Sequence, residues 1–210
     1  MIVTEIRSKN KNKSIVCLDG EIAFVLYKGD FNRYGIVLGE ELSDSSYKEI
    51  TEEILPKRAY ERACKLLMSR DYTVKQLQQK LYADGYPEET VQKTIEKLEG
   101  LNYLDDQRYT QNFIFWKSEK KSRSRMISDL RQKGIDSDVA VAVYAKLLEA
   151  DDIDNEEIVI KRFLDKKGFV AKEADYDRLH KMIQTLLRKG FSYESIRHVL
   201  GKEPEKCFTE

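Results

Sequence analysis

Leu77-Gln78-Gln79-Lys80-Leu81-Tyr82-Ala83-Asp84-Gly85-Tyr86 is one copy of a pattern that this chain uses three times. Aligned without gaps on the glycine, the copies read Leu77-x3-Leu81-x3-Gly85-Tyr86, Met126-x3-Leu130-x3-Gly134-Ile135 and Met182-x3-Leu186-x3-Gly190-Phe191. Spacing of four keeps each apolar pair on one face of a helix. The glycine supplies the left-handed residue that ends a helix at little cost, and the apolar residue after it plugs the core beneath the turn. Past the glycine the copies still agree. Glu89, Asp138 and Glu194 stand four residues on, where an acid favours a helix N-terminus. Val91, Ala140 and Ile196 follow at six, and Ile95, Tyr144 and Leu200 at ten. Asp136 and Ser192 are capping residues for this following helix, and Pro87 takes the same place in the first copy.

The glycines lie 49 and 56 residues apart, which leaves room for a third helix before each pair. The candidates are 58–68 (Ala63, Leu66 and Leu67 inward), 106–117 (Tyr109, Phe113 and Trp116 inward) and 155–164 (Ile158 and Phe163 inward). The fold expected is mainly α: three tandem three-helix repeats at 58–101, 102–150 and 151–201, forming an elongated curved array, with a short tail at 202–210. The first 55 residues have another texture. Ile2–Ile6 and Ser14–Leu18 are rich in β-branched residues, and Asp19-Gly20 before Glu21–Tyr27 signals a tight hairpin. A small sheet of two or three strands is expected there, packed on the helices that follow. Ser46-x-x-Glu49 reads as a capping box opening a short helix with Tyr47, Ile50 and Ile54 on one face, ended or kinked at Pro56.

Composition narrows the function classes. The chain has 210 residues, 41% hydrophobic and 35% charged, with no apolar run near the ~20 residues of a membrane span and no signal-peptide layout. Cys17, Cys64 and Cys207 are odd in number and far apart, so neither a disulfide framework nor a zinc site is expected; a cytoplasmic monomer is. Phosphate-binding loops and metalloprotease motifs are missing, and His180 and His198 read as ordinary helical residues. Asp105-Asp106 reads as helix capping rather than a metal pair, and the acidic run at 149–154 as a solvated linker. Trp116 reads as core or core edge rather than a base-stacking platform. No cofactor and no catalysis are expected.

Net charge is zero, yet seven basic side chains fall between 117 and 133 against Glu119 and Asp129. They are Lys117, Lys120, Lys121, Arg123, Arg125, Arg131 and Lys133. A solvated helix face normally mixes signs, so this stretch points to nucleic acid or an acidic partner, with a solvated face as the plainer alternative. The pairs Lys161-Arg162, Lys166-Lys167 and Arg188-Lys189 matter only if the fold brings them onto the same face.

Three motifs in order resemble one family. They are Tyr103-Leu104-Asp105-Asp106-x-Arg108-Tyr109, then Arg125-Met126-x2-Asp129-Leu130-x2-Lys133-Gly134-Ile135, then Leu187-Arg188-Lys189-Gly190-Phe191-Ser192-Tyr193-Glu194-x-Ile196-Arg197-x-Val199-Leu200. Together they resemble the regulatory protein RecX family, modulators of the bacterial recombinase RecA, over about residues 58–201. The N-terminal β segment resembles the extension of longer members from Gram-positive bacteria. Two departures stand out: Ser122-Arg123-Ser124 where the family often has glycine, and Thr110 where alanine is usual. The resemblance implies a non-enzymatic negative modulator that lies in the groove of the RecA–DNA filament and bridges its protomers. It also implies inhibition of ATPase, strand-exchange and co-protease activities, hence regulation of DNA repair, recombination and the SOS response. With the charge pattern it nominates the seven residues above, with Arg188 and Lys189, as contacts to acidic filament surface or to single- and double-stranded DNA bound weakly alone. The alternative is a helical-repeat protein that acts only by competing for DNA.

Overall fold

Asp19 and Gly20 take φ of 50° and 92°, the double positive φ that a two-residue hairpin turn demands. They join β2 (Lys13–Leu18) to β3 (Glu21–Tyr27), and β1 (Val3–Ser8) pairs antiparallel on the other side of β2. The computed structural model describes residues 1–201; the tail at 202–210, with Cys207, lies outside the described residues. These form two compact units, divided after Asp105.

In the N-terminal unit the sheet is followed by α1 (Phe31–Tyr34), α2 (Asp44–Lys48), α3 (Leu55–Leu67), α4 (Val74–Asp84) and α5 (Glu88–Gly100). Ser43, not Ser46, caps α2: it is extended at ψ 146°, and its side chain accepts from the Ser46 amide. Pro56 does not end the helix either. A π turn over Glu49–Ile54 carries the run into α3, where Leu55 N–H still reaches the Ile50 carbonyl and Pro56, lacking N–H, sits in the first turn. The sheet buries Val3, Val16, Leu18, Phe24 and Leu26 against Ile50 and Leu55. Each such side chain contributes roughly 1.5–3 kcal/mol by leaving water.

A second core, with Leu77, Leu81, Val91, Ile95 and Leu98, lies within the first repeat. Tyr86 packs against both cores, and burial pushes its phenol up to about 12. Arg58 of α3 grips both oxygens of Asp30 at 2.6 and 3.0 Å. This fork, more than any other contact, holds the Asp30 carboxyl below its ordinary pKa. A carboxylate depressed in the folded state adds stability above its unfolded pKa and loses it as pH falls through the folded value. Arg58→Met should therefore flatten the acid limb of the stability curve below about pH 4, read by urea unfolding across pH. An unchanged slope would remove this pair from the account.

The C-terminal unit holds α6 (Asp106–Ser118), α7 (Arg123–Gln132) and α8 (Ser137–Glu149), then α9 (Glu156–Lys166), α10 (Tyr176–Arg188) and α11 (Tyr193–Leu200). Ile114, Met126, Leu130, Ile135 and Ala140 make one core; Ile160, Leu164, Leu186, Phe191 and Ile196 make the other. Gly85, Gly134 and Gly190 have φ of 94°, 96° and 83°. After each, the next amide reaches back to the same carbonyl: Tyr86 to Leu81, Ile135 to Leu130 and Phe191 to Leu186. Both orphan carbonyls of the helix end are thereby satisfied. The last helix of the first two repeats ends in the same way on Asn102 and Asp151, at φ 56° and 55°. The protein is thus mainly helical, three three-helix repeats with a three-stranded antiparallel sheet at the N-terminus.

Two inward assignments are corrected. Trp116 is 73% exposed, its ring edge-to-face with Phe115 at 5.4 Å, because Ile114 and Ser118 take the buried face of α6. Ile158 is 38% exposed, since Val159, Ile160 and Leu164 form the inner face of α9.

Candidate functional site

Asp129 divides the basic stretch. Its side chain, 13% exposed on α7, receives the Lys121 ammonium at 2.5 Å and the Arg125 guanidinium at 3.3 Å. Lys121 and Lys133 also lie near the Phe113 ring, at 5.9 and 5.8 Å from its centre. The Lys121 pair ties the segment after α6 to α7 and Lys133 reaches back to Phe113 of α6, whereas the Arg125 pair lies within α7.

Arg123 and Arg131, with Ile127 between them, follow at spacings of four on one face of α7. They line a cleft of about 1050 Å³ together with Glu156, Glu157 and Glu194. The Arg123 guanidinium sits 5.5 Å from the Tyr144 ring. Burial, then the Glu156 charge, pushes the Tyr144 phenol up against the opposing pull of Arg123.

A smaller cleft of about 310 Å³ is mainly basic. Lys120, Arg162, Lys166 and Lys189 surround a floor of Val159, Phe163 and Phe191, with Glu119 as its acid. The Lys189 ammonium lies 4.9 Å from the Phe163 ring centre, and Arg162 reaches Asp154 at 2.5 Å. Arg162 and Lys166 are additions to the candidate set. The basic pairs at 161–162 and 166–167 carry the signal in the sequence, but only folding places Arg162 and Lys166 beside Lys120. Lys117 is exposed in the last turn of α6. Arg188 is exposed on α10, its guanidinium folded back on Gln184 and Thr185.

Three groups hold these clefts. Ser122 caps α7 by accepting from the Arg125 amide, and its hydroxyl donates to the Lys189 carbonyl at 2.8 Å. Gly190 makes this approach possible, since a Cβ there would stand 2.9 Å from the Ser122 hydroxyl oxygen. Glu156, in the first turn of α9, accepts from the Arg123 amide at 3.0 Å and from the Ser192 amide at 3.3 Å. One carboxylate thus faces three positive helix ends. Ser122→Ala should cost about 1–2 kcal/mol of stability, measured by urea unfolding; a change under about 0.3 kcal/mol would deny it the capping role. The other departure is quieter: the buried Thr110 hydroxyl donates back to the Asp106 carbonyl at 2.7 Å.

Among the described residues no three of His, Cys, Asp and Glu converge on a metal position, and no helix is long and apolar enough to cross a membrane.

Family models described as the first, second and third three-helix domains of RecX match residues 59–98, 105–143 and 156–200, in that order. The chain belongs to the RecX family. Regulatory protein RecX of Caldanaerobacter subterraneus subsp. tengcongensis is 29% identical over 204 residues, 96% of this chain and 99% of that one. Regulatory protein RecX of a Clostridium botulinum strain is 27% identical over 93% of this chain and 92% of its own. A crystal structure of regulatory protein RecX superposes with a TM-score of 0.62 at 22% identity, covering 96% of this chain and 99% of that one. RecX from Lactobacillus salivarius gives 0.57 at 21%, covering 70% of this chain and 96% of its own. At such identities the two superpositions speak to the RecX fold. Membership makes the chain a regulatory protein, of a family not defined by an enzymatic activity.

Proposed function

We propose that this protein is a negative modulator of the RecA recombinase, binding the RecA–DNA filament and inhibiting its ATPase, strand-exchange and co-protease activities. The observation that carries the reading is the pair of clefts in the C-terminal unit, one of mixed sign and one nearly all basic. A cleft lined by Arg123 and Arg131 together with Glu156, Glu157 and Glu194 suits a protein surface carrying both charges, and its acids would repel a phosphate chain. Lys120, Arg162, Lys166 and Lys189 suit phosphate or a carboxylate-rich surface. A filament of protein wound on DNA offers both chemistries at once. Family membership supports the same partner.

On this reading the protein acts as a monomer in the cytoplasm, binds single- and double-stranded DNA weakly by itself, and regulates repair, recombination and the SOS response without catalysing a step. The nine basic residues then divide their work. Lys120, Arg123, Arg131 and Lys189 face the partner, with Lys117 and Arg188 beside them, while Lys121, Arg125 and Lys133 hold the surface in shape.

RecA's DNA-dependent ATPase, followed as the protein is added below one copy per RecA protomer, tests the proposal. Inhibition that needs RecA-bound DNA and persists at moderate salt is the expected result. Inhibition that tracks protein–DNA affinity alone, with a log–log salt slope near −0.7 to −0.9 per phosphate contacted, would replace it with simple competition for DNA.

A further inference from the structure

Phe115 and Trp116 are adjacent exposed aromatic residues whose rings touch. They are 46% and 73% exposed near the end of α6, and the two rings meet edge to face with planes at 87°. Leaving an indole this far in water forgoes stabilisation that burial would supply, so the pair asks for an occupant. The edge-to-face contact holds the indole against its neighbour, which lowers the cost of presenting it to a ligand. Lys117 follows directly and Lys120 lies four residues beyond Trp116; among the described residues neither ammonium has an ion-pair partner.

We infer that the Phe115–Trp116 pair is a stacking platform for the unpaired bases of a single-stranded nucleic acid, with Lys117 and Lys120 taking the adjacent phosphates. The inference rests on the nucleic-acid contact in the proposed function and adds its strandedness. Exposed rings followed in the chain by two lysines match a strand that alternates flat bases with anions. Duplex offers no free base face to a projecting indole without unstacking. An apolar protein surface fits less well. Two rings bury at most about 150–250 Å² each, far below the ~800 Å² per partner of a stable interface.

Trp116 is the single tryptophan of the chain, so indole fluorescence reports on this position alone. Titrating the full chain with oligothymidylate should quench the emission. An abasic oligomer of the same length and phosphate number should bind more weakly and leave it nearly unchanged. Trp116→Ala should weaken oligothymidylate binding on the order of 5- to 100-fold, with Trp116→Phe in between. Because the ring is exposed, these variants should keep the wild-type melting temperature. Equal emission changes with both oligomers, or equal affinity of Trp116→Ala, would overturn the platform. So would an emission change that appears only with RecA and in the absence of DNA, which would assign the ring to a protein contact. RecA ATPase inhibition in the same samples separates the two readings. Quenching without inhibition supports the platform while the RecA proposal fails; inhibition without quenching does the reverse.

Discussion

Gly85→Ala is expected to destabilise the N-terminal unit by about 2–5 kcal/mol. Left-handed backbone costs an L-residue roughly 1–2 kcal/mol, and overpacking adds about 1–3. The second effect is specific to this glycine. A Cβ at Gly85 would lie 2.3 Å from a Val25 methyl on β3 and 2.9 Å from the Lys9 ammonium. That ammonium donates to the Ala83 carbonyl at 2.6 Å, so the turn is clasped onto the sheet from two sides. Urea unfolding of the single variant is the measurement. A loss below about 1 kcal/mol would mean that the turn can lift off the sheet at little cost. Gly190→Ala shares the backbone term, but there the obstacle is the Ser122 hydroxyl rather than a packed methyl.

The second large effect is expected from charge. Reversing Lys120, Lys166 and Lys189 together should weaken inhibition of the RecA ATPase at least tenfold, with the fold intact by circular dichroism. Each reversal both removes an attraction and adds a repulsion, and rim charges of this kind act strongly on encounter rates. Inhibition equal to that of the unsubstituted protein, in a folded variant, would remove the small cleft from the function. Lys121 belongs in a different experiment. Lys121→Glu would place a second carboxylate against Asp129, so its expected effect is loss of stability rather than a clean loss of binding.

The repeat architecture was legible because it is written in local terms. A glycine, an apolar pair at four and eight before it and an acid at four after it constrain only neighbouring residues, and periodicity reports such constraints well. Helix ends at Asn102 and Asp151 were less legible, since Asn and Asp take left-handed backbone only occasionally and more often mark caps or turns. Ser43, Ser45 and Ser46 are chemically alike, so sequence alone does not separate them as caps; Ser43 is set apart by its extended backbone. On α6, the aromatic residues at 109, 113, 115 and 116 suggest two overlapping faces, and packing of Ile114 and Ser118 settles which is inward.

Charge was legible as quantity and not as arrangement. The excess around 117–133 is plain in the sequence, yet whether a lysine faces a partner or Asp129 depends on side chains eight residues away and across a turn. Arg162 and Lys166 sit far along the chain from Lys120. No spacing rule predicts that two repeats will bring them to one cleft.

The contacts of Ser122, Glu156 and Gly190 bear on how such a protein can be recombined with its relatives. A repeat that appears in the sequence as an interchangeable module is not one at this junction. Residues 102–150 transplanted alone into another chain would leave the Ser122 hydroxyl without the Lys189 carbonyl and the Arg123 amide without the Glu156 carboxylate. A chimera cut at the start of α6 keeps both contacts, so the smallest exchangeable cassette on this side of the molecule is two repeats long. Repeats alike in their cores are, at this seam, left and right halves of a joint.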